Sequence, residues 1–206
     1  GKAQGDSLAL AVIRDLIDPE RQEVLECHFP MVKDAGEAEG FWKEAARQVL
    51  DPLHRGCDVA FVTLGDPLFY STFIHLWRTI ERLDPRIPRE IVPGVSSLHA
   101  ASAVASLPLG IAGERIAILP ATGDRAELKR TLEEFDTIVL LKVYQALGEL
   151  LPLLESLGLK ESAVFVQKCG TEEQKVIRDL NLLKEEKADY FSLLIVSKGL
   201  TMRSGE

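Results

Sequence analysis

The chain has 206 residues, 46% of them hydrophobic and 27% charged, a balance that fits a globular protein and excludes disordered or collagen-like classes. Its formal net charge of -8, without any basic tract, argues against a nucleic-acid partner, because phosphate contacts need a concentrated Lys/Arg surface. A small-molecule ligand is the expectation instead. The longest apolar runs, such as 191–196, are too short to span a bilayer, and no charged-then-apolar leader opens the sequence, so a soluble protein without a membrane partner is expected. Cys27, Cys57 and Cys169 form no CxxC pair; this argues against a disulfide framework and a structural metal site, and for the cytoplasm.

In chain order the apolar periodicity predicts a helix over 7–16, a strand over 23–27, a helix over 38–53 and a strand over 58–64. A helix over 68–83, a strand over 90–92 and a helix over 97–106 follow, then a strand over 115–119 and a helix over 125–134. The pattern closes with a strand over 137–141, a helix over 147–157, a strand over 163–167, a helix over 172–180 and a strand over 192–197. Short β-branched runs alternating with longer helical patterns indicate an α/β fold built around a largely parallel sheet. Leu107-Pro108-Leu109-Gly110 interrupts regular structure and divides the chain into an N-terminal α/β domain, 1–109, and a C-terminal α/β domain, 110–206.

Two loops carry the signs of a ligand site. In the first, the run 61–64 gives way to Gly65-Asp66-Pro67-Leu68-Phe69-Tyr70-Ser71-Thr72. Gly65 permits close approach of a ligand or a neighbouring backbone, Asp66 is suited to N-cap the following helix, and Pro67 suits its first position. In the second, Val92-Pro93-Gly94-Val95-Ser96-Ser97 leads into a helix of small residues. Ligands of open α/β sheets bind outside the carboxyl ends of strands, and here two successive strands end in glycine turns. The spacing matches neither the GxGxxG fingerprint nor a Walker P-loop.

These two loops together resemble the tetrapyrrole methylase family, and Leu141-Lys142-Val143-Tyr144 and Lys168-Cys169-Gly170-Thr171 match later family segments, so the resemblance spans essentially the whole chain. The continuation Tyr70-Ser71-Thr72 and the earlier Phe29-Pro30-Met31-x-Lys33-Asp34 are similar, more narrowly, to the branch that methylates C20 of precorrin-2 or of cobalt-factor II in corrin construction. The resemblance implies two α/β domains with S-adenosylmethionine bound in the cleft between them, a tetrapyrrole substrate in an adjoining trough, and a homodimer. It implies cofactor contacts, mostly main-chain, at Leu64, Gly65, Asp66, Phe69, Ser96, Ser97, Lys142, Val143, Gly170 and Thr171. Family members normally open with a strand and a GxGPGDP loop, whereas this sequence opens Gly1-Lys2-Ala3-Gln4-Gly5-Asp6-Ser7; the N-terminal domain is accordingly expected to lack that element.

For removal of a proton from the methylated carbon the candidates are Tyr70, beside the cofactor loop, and His28, because imidazole exchanges protons near neutral pH. Each has a plainer reading, Tyr70 as a packing residue and His28 as a hydrogen-bonded structural histidine. Lysines end three predicted strands, at Lys142, Lys168 and Lys198; on one sheet edge they would offer a positive field to tetrapyrrole carboxylates, whereas a mixed sheet would scatter them. The alternatives to C20 methylation are a sister methylase acting at another ring carbon, a truncated noncatalytic cofactor-binding chain, and an unrelated nucleotide-binding α/β protein.

Overall fold

The computed structural model describes residues 7–29, 34–184 and 188–199, and the chain divides into two compact units, 1–96 and 97–206. This division lies upstream of the 109/110 boundary read from Pro108 and Gly110. Helix α4 (Ser97–Val104) packs on strand β5 (Ser192–Ser197) of the second unit, and Arg178 Nη2 donates to the carbonyl of Ala105 just beyond it. Residues 1–6, where the opening-loop expectation falls, and Pro30, Met31 and Lys33 of the branch motif lie outside the described residues.

In the first unit, α1 (Leu8–Ile13) precedes two longer helices, α2 (Ala35–His54) and α3 (Phe73–Leu83). The Asp34 carboxylate caps α2 by accepting from Glu37 N at 2.8 Å. Ala45, Ala46 and Val49 of α2 meet Leu76 of α3, and Cys27, Phe29, Val59 and Phe61 pack against that core. The expected strands 23–27, 58–64 and 90–92 are not strands among the described residues. The 58–64 run keeps the period of an extended chain: Val59 and Phe61 turn toward the helices while Val62 and Leu64 stay 40% and 47% exposed. A strand also needs a neighbouring backbone in register to take its N–H and C=O groups, and these segments do not supply one another with it.

The ends of α2 and α3 are tied by Asp84, which is 7% exposed. Its Oδ1 accepts from Arg86 N and Nε at 3.1 and 2.9 Å, and its Oδ2 accepts from Arg86 Nη2 at 3.0 Å and lies 3.1 Å from His54 Nε2. The Arg86 hydrogen bonds hold the Asp84 carboxyl well below the usual carboxylate range. A depressed folded pKa stabilises above the unfolded value, about 3.9, and that stability is lost as pH falls through the folded value. Asp84→Asn should therefore lower the denaturant midpoint at pH 7 and pH 5 by a similar amount. The gap to the wild-type protein should narrow only below about pH 4, as urea titrations across this range will measure.

The second unit is a five-stranded sheet among the described residues, in the order β1-β2-β5-β3-β4. Its strands are β1 (Ile116–Pro120), β2 (Thr137–Leu141), β3 (Ala163–Gln167), β4 (Lys175–Ile177) and β5. Every residue of β2, β3 and β5 is buried, as expected of strands whose apolar runs do not alternate. Only β1 and β2 pair in parallel; β5 is antiparallel to both β2 and β3, and β4 to β3. The sheet is therefore mixed rather than largely parallel.

The helix expected over 172–180 is replaced by β4. The Thr171 hydroxyl accepts from Glu173 N at 3.2 Å and Gln174 Oε1 accepts from Gly170 N at 2.8 Å, forming a turn. Val176 then pairs with Val166 on the free side of β3. Tertiary pairing has overridden local helix preference.

Helices α5 (Arg125–Glu134) and α6 (Leu147–Ser156) cover this sheet through Leu132, Leu150 and Leu154, packed with Ile138, Leu140, Phe165 and Leu194. Among the described residues no helix is long and apolar enough to cross a membrane. Phe165 is 1% exposed, so Phe165→Ala should destabilise the protein by about 3–5 kcal/mol in equilibrium unfolding, through lost transfer energy and an unfilled cavity.

Candidate functional site

In the first unit the packed side chains of Val59 and Phe61 anchor the segment that delivers Gly65. Gly65 takes φ 77°, a conformation open to glycine at little cost. Its carbonyl meets the second loop so closely that a Cβ on Gly94 would stand 2.3 Å from Gly65 O. Asp66 fastens the contact: Oδ2 accepts from Gly94 N at 3.1 Å and Oδ1 accepts from Leu68 N at 2.9 Å. Both carboxylate oxygens thus serve backbone amides.

The expected helix start at residue 68 is not observed. Asp66 closes a short turn instead, Tyr70 adopts φ 51°, and α3 begins only at Phe73, with Thr72 as an N-cap lacking a side-chain cap bond. A left-handed residue cannot continue a right-handed helix, which is why the helix starts after it. Ser71 Oγ accepts from Phe73 N at 3.2 Å and lies 3.3 Å from Thr63 Oγ1, bracing the loop from its far side.

Of the other residues expected in this unit, Leu64 is 47% exposed and Tyr70 53%. Phe69 meets Tyr70 edge to face at 5.0 Å. Ser96 is buried, which keeps its hydroxyl from open solvent. His28 is exposed and sits edge-on to Phe41 at 6.2 Å; no hydrogen bond or ring contact joins it to Tyr70 among the described residues. Ser97 is exposed and opens α4.

In the second unit β1, β2 and β3 run in one direction, since β2 and β3 are both antiparallel to β5. Their carboxyl ends share an edge, the usual ligand edge of an open α/β sheet. There Lys142 and Lys168 hold φ 56° and 48°, and Gly170 φ 81°. Non-glycine residues in this region cost of order 1 kcal/mol or more and cluster at functional sites. Val143 is fully buried. The Gly170 N–H is engaged by Gln174, and the Thr171 hydroxyl donates to Lys168 O at 2.9 Å.

The three strand-end lysines do not converge. Lys198 follows the carboxyl end of β5, which lies beside Thr137 at the opposite edge, and its ammonium donates to Glu133 O at 2.8 Å. Lys168 is bonded to Glu173 and lies 3.5 Å from Asp189; the Glu173 bond holds its ammonium above the usual lysine range. Lys142 alone of the three is exposed and without a polar partner among the described residues. Two residues on, Tyr144 is tilted against Tyr190 at 5.4 Å, and Tyr190 meets Phe191 edge to face at 5.1 Å. Sequence reasoning did not single out Tyr190 and Phe191; the available signal was adjacent aromatics immediately ahead of a buried strand with an apolar centre. No group of three or more His, Cys, Asp or Glu residues suited to a metal ion occurs among the described residues.

A fold of this kind, with glycine-turn loops and strained strand ends, is that of a ligand-binding α/β enzyme. A family model described as Tetrapyrrole (Corrin/Porphyrin) Methylases matches residues 3–181, and the chain belongs to that family. It is 36% identical over 199 residues to the cobalt-precorrin-2 C(20)-methyltransferase of Salmonella typhimurium, covering 96% of this chain and 82% of that protein. It is 31% identical over 194 residues to the precorrin-2 C(20)-methyltransferase of a Sinorhizobium species, covering 90% of this chain and 77% of that one. Among solved structures, a cobalt precorrin-4 methyltransferase superposes with TM-score 0.61 at 20% identity, covering 81% of this chain and 72% of that one. A uroporphyrin-III C-methyl transferase from Thermus thermophilus, complexed with S-adenyl homocysteine, superposes with TM-score 0.57 at 22% identity, covering 76% and 73%. Both share the fold.

The Gly65–Gly94 contact is the feature most open to a direct test. Gly94→Ala must push one backbone off the other, and should cost about 1–3 kcal/mol of stability in a denaturant titration; an unchanged midpoint would mean that the loops are not held in contact.

Proposed function

We propose that this protein is an S-adenosylmethionine-dependent C-methyltransferase that methylates C20 of precorrin-2 or cobalt-factor II in cobalamin biosynthesis. Family membership over most of the chain, together with two relatives above 30% identity that carry the C20 activity in their names, favours this reading over a sister methylase or a noncatalytic remnant. The observation that carries it in the structure is the bare backbone junction of Gly65 and Gly94, braced by Asp66.

That junction fits a ligand held by main-chain atoms. Gly65 and Gly94 present no side chain, Leu64 and Phe69 add apolar surface, and Ser96 and Ser97 continue the second loop. Lys142, Val143, Gly170 and Thr171 of the second unit are proposed as further contacts, Lys142 through its main chain. S-Adenosylmethionine supplies a methyl group already activated as a sulfonium. The residues therefore have mainly to fix the donor against the acceptor carbon, and well-oriented reactions gain on the order of 7–11 kcal/mol from positioning alone. Preformed loops serve that end, because their ordering cost has been met on folding.

For the proton that leaves the methylated carbon, Tyr70 is better placed than His28. It stands exposed on the strained loop beside Phe69, whereas His28 packs edge-on to Phe41. In the same reading the protein works as a homodimer in the cytoplasm, and all three cysteines, Cys27, Cys57 and Cys169, are free thiols.

Incubating the protein with S-adenosylmethionine and either metal-free precorrin-2 or cobalt-factor II should add a single methyl group, assigned to C20 by NMR. A product methylated at another carbon, or none at all, would overturn the reading. Tyr70→Phe should lower kcat by about 10²-fold or more if the phenol takes the proton, with S-adenosylhomocysteine affinity unchanged by calorimetry; a kcat within twofold of the wild type would remove Tyr70 from that role.

A further inference from the structure

Resting on the methyltransferase reading, we propose that Lys142, Tyr144, Tyr190 and Phe191 form a subsite for the tetrapyrrole acceptor, the rings taking a face of the macrocycle and the ammonium one of its carboxylates. All four residues belong to the second unit, at the edge where β2 ends and β5 begins. β2 and β5 pair with Leu141 opposite Leu193. Directly after β2, Lys142 turns the chain out of the ladder into a 3-10 turn, Val143–Gln145, that carries Tyr144. There Tyr144 and Tyr190 lie 5.4 Å apart and tilted, and Tyr190 meets Phe191 edge to face at 5.1 Å.

The backbone holds this cluster in place. Lys168 N donates to Phe191 O at 2.8 Å, continuing the β3–β5 ladder by one residue. The Asp189 carboxylate accepts from Phe191 N at 2.9 Å, and Asp189 N donates to Gln167 Oε1 at 2.8 Å. Gln145 Nε2 donates to the Tyr144 hydroxyl at 2.6 Å. Even so, Tyr190 and Phe191 remain 45% and 44% exposed.

The charges around the cluster identify the ligand. Lys168 is neutralised by Glu173 and Asp189, and Lys198 lies at the opposite edge, so among the described residues Lys142 is the one of the three strand-end lysines left to meet an anion here. Its left-handed backbone places it immediately after the buried strand at the carboxyl edge. Aromatic faces beside an unpaired cation suit a flat conjugated ring that carries carboxylates. Stacking supplies affinity without strict geometry, and the ammonium selects for the acid group.

The test separates acceptor from donor. In the full chain, Tyr190→Ala, Tyr190→Phe and Lys142→Gln are compared with the wild type. S-Adenosylhomocysteine affinity is measured by calorimetry, and tetrapyrrole affinity by absorbance titration with the free acid and with its ester. Tyr190→Ala should weaken tetrapyrrole binding about tenfold, in the range of one lost stacking contact, while Tyr190→Phe keeps it within about twofold.

Lys142→Gln should weaken the free acid by roughly three- to fivefold, as for an exposed ion pair. It should also flatten the salt dependence of binding and leave the ester unaffected. Donor affinity should stay within about threefold in all three variants, since the donor is read through main-chain atoms. Equal losses for donor and acceptor, or acceptor affinities unchanged in Tyr190→Ala and Lys142→Gln, would overturn the subsite and leave the methyltransferase reading standing. A wild-type protein that binds no tetrapyrrole would overturn both.

Discussion

The Asp66 carboxylate is the constraint on which the candidate site depends. One oxygen closes the turn at Leu68 and the other reaches Gly94 across the second loop. Carboxylate bonds to backbone N–H groups are charge-assisted and stronger than neutral ones. Here they compensate for bringing two peptide backbones together without side chains. The outcome is an acidic residue whose two oxygens hold the shape of the loops.

The second unit reaches order by a different route. β2, β3 and β5 are buried along their whole length, and apolar burial of that extent fixes their position in the sheet. Having no charged or polar face to satisfy, these strands leave chemistry to the residues that follow or precede them. Lys142, Lys168 and Gly170 accordingly adopt left-handed conformations directly after strand ends, where the chain must turn sharply away from a rigid ladder. The ladder determines where the turns begin, and the turns determine which side chains reach solvent.

Much of this was legible from the amino acids. Unbroken apolar runs located β2, β3 and β5 to the residue, and the amphipathic period located α5. Glycine turns located the loops at Gly65 and Gly94. Pairing was much less legible, because a strand's partner is a non-local property. Residues 172–180 have helix-compatible composition, yet Val176 and Ile177 join β3 because its edge is open. The segments at 23–27, 58–64 and 90–92 show the opposite case, with the composition of strands but no ladder among the described residues. The direction of β5 was equally hidden, and it alone decided that Lys198 parts company with Lys142 and Lys168. Asp66 was misread for a related reason: an N-cap and a cross-loop brace use the same carboxylate, and only the position of Gly94 distinguishes them.

The antiparallel entry of β5 has an evolutionary consequence. It brings the amino end of a strand, rather than another carboxyl end, to the ligand edge, so the residues just before β5 arrive from the connection that leaves β4. Leu180 and Leu183 of that connection are buried in the core, whereas Tyr190 at its end is exposed. If the proposed subsite is right, fold and acceptor choice are carried by different residues of one connection, and its exposed end can be retuned while its buried leucines keep the sheet beneath the same.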